Sequence, residues 1–273
     1  MTAEMVRISL QDWGRAMDEY LRRGAAEQAG AMARIVLARL PRHLPTYARL
    51  LEALWLLERW EEGDEWGRRL LHADPCHGRA WRAMAQAAEQ RGERDIANSI
   101  WRRAFEVDPY QADIRRGLVR TTLGRDSSLS MTEPCLGTLY LRGYRWRHAA
   151  ALYRTLMAAD PRRLDFQINL MVALWRQGDA GGAYQLARHL TDDNPLLLLP
   201  WYVQAALGDE DDRALAYNPL VTMDPDGDYL RRRLRLDLAP PDEREPGVRF
   251  RQDAAVLTVS PDEADFLAIA PVV

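Results

Sequence analysis

Apolar positions recur along the chain three or four residues apart, in short runs separated by turn residues, which is the spacing of amphipathic helices. Residues 78–109 show the unit most plainly. Trp81, Met84, Ala85 and Ala88 share one face of a first helix, Gly92 marks a turn, and Ala97, Trp101 and Ala104 share a face of a second before Pro109. Small residues at 85 and 97 let the two backbones approach, and the indole at 101 fills the gap towards the next pair. Proline closes the unit, because it cannot continue a helix but suits the first turn of the next one. The pattern predicts an all-α chain of antiparallel helix pairs.

The prolines carry a period. Pro41, Pro75 and Pro109 lie 34 residues apart, as do Pro161 and Pro195, and three of the five follow an aspartate in HADP, EVDP and AADP. The phase breaks once: 52 residues, one period plus 18, separate Pro109 from Pro161. Ala112 to Leu123 reads as a helix and GRDSSLS after it as a loop. An extra helical segment over 112–129, or a repeat that has lost its second helix, is therefore expected.

These residues resemble the tetratricopeptide repeat, whose pattern is W-x2-L-G-x2-Y, then A-x3-F-x2-A, then P. Repeat 1 carries Trp13, Ala16, Met17, Tyr20, Gly24, Ala29, Ala33, Val36 and Pro41. Repeat 2 carries Tyr47, Leu50, Leu54 and Pro75 but has Gly63, Gly67 and Leu70 where the family prefers Ala, an aromatic residue and Ala. Repeat 4 keeps Leu136, Gly137, Tyr140, Ala149, Tyr153 and Pro161, and repeat 5 keeps Leu170, Gly178, Ala183, Ala187 and Pro195. The resemblance covers residues 10–195 and implies a right-handed α-solenoid with repeats at 10–43, 44–77, 78–111, 130–163 and 164–197. Residues 1–9 form a lead. Residues 196–238 read as a degenerate repeat, with Trp201 on its first helix, and a capping helix N-capped by Asp226 or Asp228. Residues 239–273 read as an acidic, proline-containing linker with an apolar tail from Asp253, which either stays disordered or folds back into the chain's own groove.

What the resemblance implies for function is a concave groove lined by first helices, holding a peptide or helix of a partner protein without chemistry. By position the lining is Asp18 and Arg22, then Glu52, Trp55 and Leu56, then Arg79, Arg82, Gln86 and Glu89. Thr138, Leu141, Arg142, Ile168, Val172, Trp175 and Arg176 complete it. Tryptophan anchors interfaces and arginine grips carboxylates with paired hydrogen bonds, so the expected ligand has apolar anchors and acidic groups. Family members that bind chaperones hold a C-terminal carboxylate with lysines and asparagines; here only Asn169 matches in kind, and that role is set aside.

All 37 basic side chains are arginine. A chain without lysine has no Walker-type phosphate loop, Schiff-base chemistry or kinase lysine. The net charge of −3 offers no overall attraction to nucleic acid, although residues 1–237 are near neutral and 238–273 acidic. An RNA-binding helical repeat using groove or C-terminal arginines (Arg231, Arg232, Arg233, Arg235) is the alternative reading, and most such runs are solvated. His72, Cys76 and His77 make only three candidate metal ligands where structural zinc needs four. Asp224, Asp226 and Asp228 mimic a calcium loop, yet Tyr229 and Arg235 stand where glycine and glutamate are needed. No catalytic or metal-ligating residue is nominated, and no cofactor is expected. Two cysteines without paired spacing, no basic-then-apolar leader and no aliphatic run longer than Leu196 to Leu199 point to a cytoplasmic protein without a membrane span.

Overall fold

The computed structural model describes residues 5–122, 130–234 and 255–268. The loop expected at 124–130, apart from Ser130, the linker at 239–254 and the last five residues lie outside them. The chain is an all-α succession of helix pairs, with one two-stranded ribbon that the hydrophobic pattern did not predict. Contacts divide it into two units, residues 60–212 and residues 1–59 with 213–273.

The larger unit runs through α4 (Trp60–Ala73), α5 (Gly78–Gln90), α6 (Arg94–Val107), α7 (Ala112–Thr121), α8 (Glu133–Arg142), α9 (Trp146–Ala159), α10 (Leu164–Arg176), α11 (Ala180–Asp193) and α12 (Leu198–Leu207). Within this unit consecutive helices pack on one another from α4 to α7 and from α8 to α12, and first helices also meet across repeats, α5 with α7 and α8 with α10. Ala85, Ala88, Ala97 and Ala104 are fully buried where α5 and α6 meet. Trp101 is fully buried and spans to α7, where the absent side chain of Gly117 makes room for its ring. At the phase break α7 packs on both α5 and α6, and among the described residues the next helix, α8, packs on α6.

The smaller unit joins the two ends of the chain. It holds β1 (Val6–Ser9), α1 (Leu10–Arg22), α2 (Ala26–Arg39) and α3 (Leu44–Leu56), most of α13 (Glu210–Met223), then α14 (Asp228–Leu234), β2 (Val256–Val259) and α15 (Pro261–Ala268). Strands β1 and β2 pair antiparallel, Val6 opposite Val259 and Ile8 opposite Leu257. Four-residue strands some 250 positions apart leave no local periodicity to read; the alternation that buries Ile8, Leu257 and Val259 acquires meaning only once they are paired. Helix α15 lies on α1 and α2, where the Tyr20 hydroxyl donates to the Phe266 carbonyl at 3.0 Å and Arg39 holds the Glu263 carboxylate with two bonds, 2.7 and 2.9 Å. The apolar tail therefore docks on repeat 1 through its two helices and its lead strand.

Two local devices recur with the period. The residue that ends the first helix's turn is left-handed at 24, 58, 92, 144 and 178: glycine at three of these, but Glu58 (φ 55°) and Tyr144 (φ 58°) at the others. The second device is a side chain six positions beyond each junction proline that donates to that proline's carbonyl. Trp81 reaches Pro75 at 2.8 Å, Arg115 reaches Pro109 at 2.8 Å, Gln167 reaches Pro161 at 2.7 Å and Trp201 reaches Pro195 at 2.9 Å, while Tyr47 makes the same bond to Pro41. Trp13 occupies the equivalent position in repeat 1, but β1 precedes it instead of a proline turn. Its indole is fully buried and its Nε1 has no acceptor among the described residues.

Candidate functional site

In the larger unit, the first-helix side chains expected to face a ligand are to a large extent engaged by the chain itself. Arg82 is buried and paired with Asp113 of α7 at 3.2 Å. Glu89 accepts from Arg120 of α7 at 2.9 and 3.1 Å and from the Trp101 indole at 3.0 Å, and Gln86 accepts from Arg120 at 3.3 Å. Because the two first helices come side by side, a charge on one meets its complement about one period on. Arg82, expected in the groove lining, thus ties α5 to α7. Val172, Ile168 and Thr138 of the expected lining are buried as well, and the Thr138 hydroxyl donates to the Glu106 carbonyl at 2.7 Å.

Beside Thr138 lies a polar cluster with no counterpart in the repeat pattern. Arg163 bridges two carboxylates, Glu106 at 2.9 Å and Asp165 at 2.5 and 2.8 Å, and Arg103 stands 3.6 Å from Asp165. Asn169 donates to the Tyr153 hydroxyl at 3.1 Å, and the Cys76 thiol sits 3.5 Å from the Asn169 side-chain oxygen. Burial pushes the Glu106 carboxyl up to about 7, against the opposing pull of Arg103, and pushes Asp165 up to about 6 for the same reason. A positive charge shared by two half-desolvated carboxyls offsets only part of their lost hydration. The cluster ties α6, α8, α9 and α10 to the turn that carries Cys76. Its members sit at unrelated phases of the repeat, which is why the sequence offers no signal for it.

Arg79, Arg142, Trp175 and Arg176 are among the groups of the expected lining in this unit that keep accessible surface. Arg79 is exposed at the start of α5. Trp175, half-buried near the end of α10, meets the Tyr202 ring edge-on at 5.8 Å and carries the Arg176 guanidinium over its face at 5.2 Å. Arg142 is half-buried, paired with Asp108 at 2.7 Å and placed 5.1 Å over the exposed Tyr110 ring.

In the smaller unit, Arg22 is exposed and paired with Glu19 of its own helix, Glu52 and Trp55 are half-buried, and Leu56 is exposed. Asp18 is taken up by the chain: Arg49 of α3 holds it with two bonds, 2.9 and 3.0 Å, and Arg232 of α14 stands at 3.4 Å. Arg49 also reaches Asp228 at 3.2 Å. Asp224 accepts from the backbone amides of Tyr229 and Leu230, and Asp226 from that of Asp228, so the three aspartates start α14. Behind them the buried His43 ring bonds Thr46 at 2.7 Å; burial and the Arg49 charge lower its pKa to about 3. His77 caps α5 by accepting from the Ala80 amide at 3.2 Å. Among the described residues no group of three or more His, Cys, Asp or Glu side chains is arranged to hold a metal, and no helix is long and apolar enough to cross a membrane.

Compared with known proteins, residues 78–121 match the family model described as tetratricopeptide repeat. These are α5, α6 and α7. No curated protein matches in sequence. Among solved structures, one of Naa15/Naa10 bound to HypK-THB is 16 % identical over 86 % of this chain and 35 % of that one, with a TM-score of 0.33. The chain thus spans about a third of that protein's length.

Proposed function

We propose that the chain, a tetratricopeptide-repeat protein, is a noncatalytic interaction module, a scaffold, adaptor or assembly factor that binds a peptide or helix of a partner protein on its first-helix surfaces. The observation that carries this reading is at the end of α10, where half-buried Trp175 keeps accessible surface and the Arg176 guanidinium lies 5.2 Å over its ring. An apolar ring beside planar donors suits a segment with an apolar anchor and a carboxylate. Arg79, Gln86 and Arg142 extend this set in the larger unit, and Arg22, Glu52 and Trp55 form the corresponding set in the smaller one. Cytoplasmic residence fits two cysteines that are both free thiols.

Crosslinking and pulldown with the full chain test the reading. Trp175→Ala with Arg176→Ala, and separately Arg79→Ala, should reduce recovery of the partners captured by the parent. Equal recovery with both variants refutes the assignment. The RNA alternative finds less support, since Arg232 is paired with Asp228 and Asp18 and Arg231 bonds the Asp226 carbonyl.

A further inference from the structure

The α8–α9 hairpin departs from the other repeats in composition and charge at one place. From Pro134 to Ala159 the sequence holds four arginines and no acid. Two of them are neutralised, Arg142 by Asp108 at 2.7 Å and Arg154 by Asp179 at 3.8 Å. Arg145 and Arg147 are exposed and make no ion pair among the described residues. The other second helices carry an acid in the first turn or at the cap: Glu27, Glu61 and Glu62, Asp95, Asp179, and Glu210 to Asp212. Helix α9 has none and has two arginines there instead, which is unfavourable for the helix itself.

Exposed aromatic surface adjoins these charges. Tyr144 is 53 % exposed and meets the Trp146 ring at 5.4 Å and 88°, and the exposed His148 ring lies 5.4 Å from Tyr140. Tyr144 also occupies the left-handed turn position that Gly24, Gly92 and Gly178 fill in three other repeats and Glu58 in a fourth. A tyrosine there is conformationally costly and buries little, so the turn's own stability does not account for it.

Resting on the interaction reading above, we propose that this turn, Tyr144, Arg145, Trp146 and Arg147, is a docking surface for an acidic linear segment of a partner protein, one that places Asp or Glu side chains on the two unpaired guanidinium groups and an apolar side chain against the rings. Charge complementarity selects an acidic occupant, and the rings supply the anchor. Single-stranded nucleic acid fits less well. The rings stand perpendicular where successive bases need stacking platforms, and two unpaired cations on a chain of net charge −3 make a short track for phosphates.

A phage-displayed random dodecapeptide library, panned on the full chain, tests this. The selected pool should be enriched in Asp and Glu beside Phe, Trp or Leu. Its leading peptide, fluorescein-labelled, should bind Arg145→Glu/Arg147→Glu about tenfold or more weakly by anisotropy. Tyr144→Gly should weaken binding too, while circular dichroism stays unchanged, because three other repeats accept glycine at that position. A pool without acidic enrichment, or acidic peptides with parental affinity for both variants, overturns the proposal. Peptides that respond to Trp175→Ala but not to the turn variants overturn this surface and leave the interaction reading standing; a panning that enriches nothing counts against both. A labelled oligouridine that binds the parent more tightly than the peptide, and is lost on Arg145→Glu/Arg147→Glu, replaces the proposed occupant with nucleic acid.

Discussion

If α7 is a true first helix locked into the stack, a single methyl group at residue 117 should reveal it by the sign of its effect. Gly117 lies in mid-helix, where alanine is ordinarily favourable by about 1 kcal/mol. Here the added Cβ would fall within the van der Waals envelope of Cε2, Cζ2 and Cδ2 of Trp101. That ring has no room to retreat: it is fully buried, and its Nε1 is fixed to Glu89 at 3.0 Å. Overpacking of this kind costs about 1–3 kcal/mol, and an overlap with the middle of a fixed ring belongs at the upper end. Net of the propensity gain, Gly117→Ala should destabilise by about 2 kcal/mol. Gly63→Ala is the matched control, since a Cβ there would meet only the Ala83 methyl at 3.7 Å, an ordinary contact. It restores the family's preferred alanine and should stabilise by up to about 1 kcal/mol. Urea unfolding followed by circular dichroism measures both. Stabilisation by Gly117→Ala would refute the packing described for α7 and reduce it to a loosely attached spacer.

Tyr47→Phe removes only the hydroxyl that bonds the Pro41 carbonyl and should cost about 1 kcal/mol in urea unfolding; an unchanged midpoint would mean that the proline-carbonyl bonds do not hold the junctions. Glu58→Gly relieves a left-handed residue and should stabilise by about 0.5 kcal/mol, after the added chain entropy of glycine; a lower melting temperature would contradict the strain argument. Glu106 and Asp165 bind protons more tightly folded than unfolded, so their contribution is fullest at low pH and is lost as pH rises from about 4 through about 7. Glu106→Gln should flatten that part of the stability profile. His43 has a slope of opposite sign, its contribution being lost as pH falls below 6.5 towards about 3, and comparing the variant with its parent cancels it.

The repeat was legible because its cause is local. Helix periodicity, the small residues at 85, 88, 97 and 104, and the spaced prolines each act within some 30 residues of chain. Even Trp101 was recognisable as the residue bridging to the next helix. The capping helix at 228–234 and the helix after Ala112 followed from the same signals. What lies across repeats or between chain ends was not legible. Whether Arg82 meets a partner or Asp113 depends on how closely α5 and α7 approach, and helical spacing leaves that distance open. The Glu106–Arg163–Asp165 cluster is assembled from different phases of the period, and β1 finds its partner strand at the far end of the chain. Sequence alone therefore determined that this protein is a stack of helix pairs with small residues where backbones meet. Only the tertiary structure decided which arginines are neutralised by neighbouring helices and which, like Arg145 and Arg147, have no ion-pair partner among the described residues, because an ion pair is set by distance in space and by the water its partners lose.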